Sequence, residues 1–162
     1  MQEKRNNFVE SGKTLYRVIK MKDNFDMLSS IIKTTQMGQI GIRSVLDAPM
    51  SPGIQRALHS QLKEYDAIET QAHELAKQRG WKLSELNPAV RKMADAMTKA
   101  KLSMGCNDSK IASMMVQGNI RGVIKGLKNA HRYTDRDPQI SALSRKLLDC
   151  ENSNILQMEG YL

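Results

Sequence analysis

The sequence predicts an all-α chain: two helical hairpins joined by a long connection that carries a short extra helix. Three observations lead there. Ser51-Pro52, Asn87-Pro88 and Asp137-Pro138 each place a good N-cap residue before a proline at the first helical position. Apolar residues recur at steps of three and four through four long segments. No stretch alternates apolar and polar residues for long enough to argue a strand.

The elements follow in order. Residues 1–22 form a basic arm, with Lys4, Arg5, Lys13, Arg17, Lys20 and Lys22, expected as a loose helix or disordered segment set apart from the bundle of residues 23–162. The first bundle helix is predicted over about 23–46, with Phe25, Leu28, Ile32, Ile42 and Leu46 on one stripe. The second runs over about 52–79, carrying Leu58, Leu62, Tyr65, Ala72 and Ala76, and stops at Gly80 after the basic turn Lys77-Gln78-Arg79. Residues 81–106 make the long connection, with a short helix near 88–103. The third bundle helix starts at the cap cluster Asn107-Asp108-Ser109 and runs over about 108–132, with Ile111, Met115, Ile120, Val123, Ile124 and Leu127 as its apolar residues. The fourth runs over about 138–159, with Ile140, Leu143, Leu147, Cys150, Ile155 and Met158. Tight joints within each hairpin and a long connection between them match the antiparallel four-helix plan of ferritin-like proteins.

One segment breaks an ordinary rule. Residues 113–133 read as helix yet hold glycine at every fourth position: Gly118, Gly122 and Gly126. Each costs about 1 kcal/mol relative to alanine inside a helix. The spacing puts all three on one slowly drifting stripe, where a partner helix can approach closely. That partner is either a neighbour within the bundle or a second copy of the chain. Gly38 and Gly41 offer a complement on the first bundle helix.

The net charge of +8 concentrates in the arm and in residues 88–134. Lys110, Arg121, Lys125, Lys128 and Arg132 fall on one face of the third bundle helix and form a basic surface suited to an acidic protein or, through phosphates, to nucleic acid. Interleaved aromatics for base stacking are missing. No apolar run approaches the roughly 18 residues of a membrane span, and the N-terminus is polar, so a soluble cytoplasmic protein without membrane partners is expected. The two cysteines, Cys106 and Cys150, have no metal-type spacing and are expected as reduced thiols. A cluster of Met93, Met97, Met104, Met114 and Met115 suits either an irregular core or an adaptable contact surface.

Catalytic signatures are sparse. His59, His73 and His131 are scattered, and no nucleophile-elbow or phosphate-loop motif occurs. A di-iron centre takes a Glu from each of two helices and a Glu-x-x-His pair from each of the other two. Here the first bundle helix offers Gln36 and Gln39 at its middle, and the third has no interior carboxylate. Glu69, His73 and Glu151 are the remaining candidate ligands, enough for a reduced site holding iron, manganese or zinc. The competing reading hydrogen-bonds Glu69 to Gln36 or Gln39 as a polar layer that fixes register.

The segments DMLSSIIKTTQMGQIGIRSVL, LKEYDAIETQAHELAKQRGW and DSKIASMMVQGNIRGVIKGLKNAHRY, with the run from Met114 to Gly122 as the most specific part, resemble small, uncharacterised bacterial ferritin-like proteins. The resemblance spans residues 23–160 and implies a ferritin-like four-helix bundle. It implies no activity and carries over no catalytic residue. The wider superfamily stores iron or oxidises at di-metal centres, and this chain departs from it at the ligand positions. The reading that follows is a non-catalytic, cofactor-free ferritin-like module, expected as a homo-oligomer with a basic surface for an acidic partner. A degenerate metal site with an oxidase or iron-handling role, and nonspecific nucleic-acid binding, are its alternatives.

Overall fold

The structure, a computed structural model, describes the backbone of residues 2–133 and 137–162 and the side chains from residue 10 onward. Those residues form five helices and no strand: α1 (Gln2–Val45), α2 (Pro52–Gln78), α3 (Pro88–Ser103), α4 (Asp108–Arg132) and α5 (Pro138–Glu159). None of them is long and apolar enough to cross a membrane.

Local chemistry sets the boundaries. Asn87 Oδ1 accepts from Ala89 N at 2.8 Å and opens α3, while Asn107 Oδ1 accepts from Lys110 N at 2.8 Å and opens α4. Asp137 Oδ1 accepts from Gln139 N and Ile140 N to open α5. Each bond satisfies a backbone donor that the first helical turn leaves free. Ser51 caps α2 with no side-chain bond; its backbone N–H instead donates to Asp108 Oδ1 at 2.9 Å and pins the start of α2 to the start of α4. Past α2, Gly80 adopts φ +66°, a left-handed turn open to glycine at little cost.

Cross-helix contacts define the topology. Gln36 and Gln39 meet Glu69, and Arg43 meets Asp66, so α1 and α2 are antiparallel. Gln61 meets Gln157 and Arg79 meets Gln139, so α2 and α5 are antiparallel. Asn119 meets Asn154 and Gly126 faces Leu148, so α4 and α5 are antiparallel. Ser30 meets Asn129 and Gly41 faces Met115, closing the ring between α1 and α4. α2 therefore ends at the opposite end of the ring from the start of α4. Residues 79–107 cross that length, with α3 running parallel to α1: Ser44–Asp95 (2.6 Å) ties α3 to it, and Gln36–Leu86 N (2.9 Å) ties the segment just before α3.

The core lies inside the ring. Leu28, Ile32, Ile42, Ile54, Leu58, Ile68, Ile111 and Ile140 are fully or almost fully buried. No residue of α3 is buried, so α3 leans on the outside of the ring.

Two expectations change. The sequence reading sets residues 1–22, as a loose helix or disordered segment, apart from the first bundle helix; the structure has them helical from Gln2 and continuous with it as α1, so the boundary at residue 22 disappears. Nothing at the junction can stop a helix, and Lys22 Nζ bonds Asp26 Oδ2 at 2.7 Å across it, an i,i+4 pair that supports continuity. The side chains of Lys4 and Arg5 lie outside the described residues. The second change concerns α4. Its expected apolar stripe included Ile120, Ile124 and Leu127, but these stay 43–47% exposed. The face turned inward is Ile111, Ala112, Met115 and Asn119, continued by Gly122 and Gly126. Small residues let α5 approach, and the close approach decides which face of the helix is buried.

Candidate functional site

Two carboxylates mark the middle of the ring, Glu69 partly buried and Glu151 fully buried. Glu69, on α2, accepts from Gln36 Nε2 at 2.7 Å and Gln39 Nε2 at 2.6 Å, and His73 Nε2 lies 3.7 Å away. Both Gln residues are buried, and Gln36 Oε1 accepts from Leu86 N. The Glu69 layer thus joins α1, α2 and the crossover, and among the described residues none of its fully buried side-chain polar atoms lacks a partner.

Glu151, on α5, is placed differently. It is 2% exposed, and its Oε2 is a buried oxygen without a hydrogen-bond partner among the described residues. Its carboxylate rests against the backbone of Gly122, where an added Cβ would come within 2.5 Å. Tyr65 reaches the same place from α2 by lying over Gly38, where a Cβ would again stand 2.5 Å from the ring. Two glycines on two helices therefore make the space that two bulky polar side chains fill. Around them, Tyr65 Oη donates to Asn119 Oδ1 at 3.0 Å, and Asn154 Nδ2 donates to the same oxygen at 3.3 Å. Cys150 Sγ donates to Glu64 Oε2 at 3.3 Å. Gln61, 1% exposed, donates to Gln157 but leaves its own Oε1 unpartnered.

Burial governs the charge states. It pushes the Glu151 carboxyl up to about 8, with the nearby Tyr65 phenol opposing the rise. Burial, then the neighbouring Glu64, pushes the Cys150 thiol up to about 12. The Tyr65 phenol is also driven up, by burial first and the Glu151 charge second. At neutral pH, Glu151 is a neutral acid.

A cavity of about 480 Å³ opens between α1, α3 and α4 and ends at this network. Such a volume lies within the range of small-molecule sites. Gly38, Gly41, Gly118 and Gly122 line it together with Met37, Met93, Met97, Met114 and Met115. Gln61, Tyr65, Asn119 and Glu151 close its inner end, while Lys33, Lys101, Arg121 and Lys125 also line it. The Lys125 ammonium is held below its usual value by burial and by the nearby Lys33.

The glycine stripe divides accordingly. Gly122 and Gly126 face α5 of the same chain, whereas Gly118 meets nothing within 4 Å and borders the cavity. The basic surface divides too. Arg121 and Lys125 belong to the cavity, Lys110 is half-buried near the start of α4, and Lys128 and Arg132 flank a shallow groove with Ile124, Leu127 and His131. Glu69 and His73 are brought together, but Glu151 turns toward α4, and among the described residues no group of three His, Cys, Asp or Glu side chains could hold a metal ion. Met93, Met97, Met114 and Met115 line the cavity, and Met104 is exposed. Both cysteines are free thiols.

Sequence reasoning reached Glu69, Gln36, Gln39 and Glu151. It missed Gln61, Asn119 and Asn154 as a network. Their signal was available: each is a polar residue on the inward stripe of an otherwise apolar helix face. No family model matches the chain, and no curated protein or solved structure matches it either.

Proposed function

We propose that the chain is a ferritin-like four-helix bundle acting as a non-catalytic interaction module, whose α4 outer face receives an acidic amphipathic helix of a protein partner. The observation that carries this reading is the outer face itself. Ile120, Ile124 and Leu127 are half-exposed at steps of four and three, next to Lys128 and Arg132. An apolar stripe flanked by cations is complementary to a helix with an apolar stripe flanked by carboxylates. The antiparallel ring with one crossover along its length supports the ferritin-like assignment. Self-association is ascribed to the N-terminal half of α1, where Leu15, Tyr16, Val18 and Ile19 are more than half exposed.

The test is titration of the full chain with a synthetic helical peptide bearing Leu and Glu on adjacent stripes, read by fluorescence anisotropy, with molar mass by light scattering. Binding that Lys128→Glu with Arg132→Glu abolishes, in a protein of defined oligomeric mass, supports the reading. Binding of a random DNA duplex in preference to the peptide, with affinity falling steeply in salt, favours the nucleic-acid alternative. Retention of iron, manganese or zinc through purification, lost on Glu69→Ala, favours a metal-handling role.

A further inference from the structure

We propose that the cavity between α1, α3 and α4 is a binding site for a small amphipathic molecule with an acidic group at one end and a hydrogen-bond donor, an amine or hydroxyl, at the other. The inner end is built from buried oxygens in want of a partner: the Gln61 carbonyl accepts, and the Glu151 carboxyl, protonated at neutral pH, both accepts and donates, so an amine or hydroxyl can exchange hydrogen bonds with them. Glu151 Oε2 and Gln61 Oε1 are buried and unpartnered, and both residues line the cavity. A buried acceptor left without a partner is costly, and native proteins leave few of them. The two glycines that admit Tyr65 and Glu151 show the arrangement to be built into the backbone: a side chain at Gly38 or Gly122 would displace one or the other.

The remaining surfaces fix the rest of the ligand. Methionine walls offer flexible, polarisable contact to an apolar body of varied shape. Met93 and Met97 are more than half exposed although they face the cavity, so the α3 side is open to entry. No residue of α3 is buried, which leaves that helix free to adjust to what enters. Lys33, Lys101, Arg121 and Lys125 line the cavity, and the Lys33 charge helps hold the Lys125 ammonium low; an acidic group among these cations relieves their mutual repulsion. A donor at the inner end and an acid near these cations are met by one molecule with both groups. The site is independent of the α4 outer face, so it stands or falls separately from the partner reading.

The experiment uses three probes with the same eight-carbon skeleton on the full chain by isothermal titration calorimetry: 8-aminooctanoic acid, octanoic acid, which lacks the inner donor, and octylamine, which lacks the acid. The amino acid is expected to bind at least about tenfold more tightly than either of the others. Glu151→Leu should reduce its affinity to that of octanoic acid. Gly118→Leu projects a side chain into space that is empty in the fold, so it should abolish binding of all three while the melting temperature holds or rises. Equal affinity for the three probes, no binding by any, or undiminished binding by Gly118→Leu overturns the proposal.

Discussion

Glu69 and Glu151 are the same side chain in the same bundle, and the chain treats them in opposite ways. Glu69 receives two amide donors from α1 and a histidine from the next turn of its own helix. Glu151 is more deeply buried, rests on glycine, and keeps one oxygen unpartnered beside a cavity. The first arrangement specifies register between helices, because a slip would strand several polar groups together. The second is poor as a stability device, because burial without full pairing costs free energy. The comparison separates a carboxylate the fold uses from one the fold tolerates, and the tolerated one is where binding is expected.

The largest expected effect breaks the pair apart by pH. The Glu151 acid is raised from its ordinary value of 4.5 to about 8. The folded state thus holds a proton that the unfolded state has lost, so the stabilisation is full below 4.5 and disappears as pH rises to about 8. Facing groups do not interfere in that window: Tyr65 and Cys150 are driven upward beyond it. Asp95, Asp108 and Asp137 are held below the usual carboxylate value, so their contributions change only at more acid pH. Denaturant unfolding should show a loss of as much as about 4 kcal/mol between pH 5 and pH 8, at 1.36 kcal/mol per pKa unit. Glu151→Gln should flatten that profile.

Next in size is Glu69→Leu. It strands the Gln36 and Gln39 amides in the core and should cost about 3 kcal/mol, measured by the same unfolding curves at pH 7. A loss below about 1 kcal/mol would mean the layer is not the register device described.

The stripe of α4 supplies two smaller contrasts. Gly122→Ala drives a methyl group into the Glu151 carboxylate and should cost about 2 kcal/mol. Gly118→Ala, four residues earlier on the same helix, meets only open space and should stabilise by up to about 1 kcal/mol, visible as a raised melting temperature. Equal effects of the two substitutions would show that the glycines do not differ in environment.

Much of this architecture was legible in the sequence, for reasons that can be named. The starts of α2, α3, α4 and α5 follow from Ser51, Asn87, Asn107 and Asp137 with the prolines beside three of them, because caps and prolines act locally. The Glu69 layer was legible because Gln36, Gln39 and Glu69 fall mid-helix on inward stripes. The face of α4 was not. Apolar spacing favours Ile120, Ile124 and Leu127, but tertiary packing follows the close approach that Gly122 and Gly126 permit, and a glycine adds nothing to an apolar count. The continuity of α1 was hidden by charge, since a polar segment helical by extension reads like a loose arm. The cavity was illegible altogether: it is space between α1, α3 and α4, and only their relative placement creates it.

The most direct test is a carbon-detected NMR titration of the Glu151 side-chain carboxyl in the uniformly labelled full chain, from acid to alkaline pH. The account predicts a midpoint of about 8, as for a buried acid lacking a full set of donors. A midpoint at the ordinary value of 4.5 would show a solvated or fully paired carboxylate. It would remove the contrast with Glu69 and, with it, the acceptor end of the cavity.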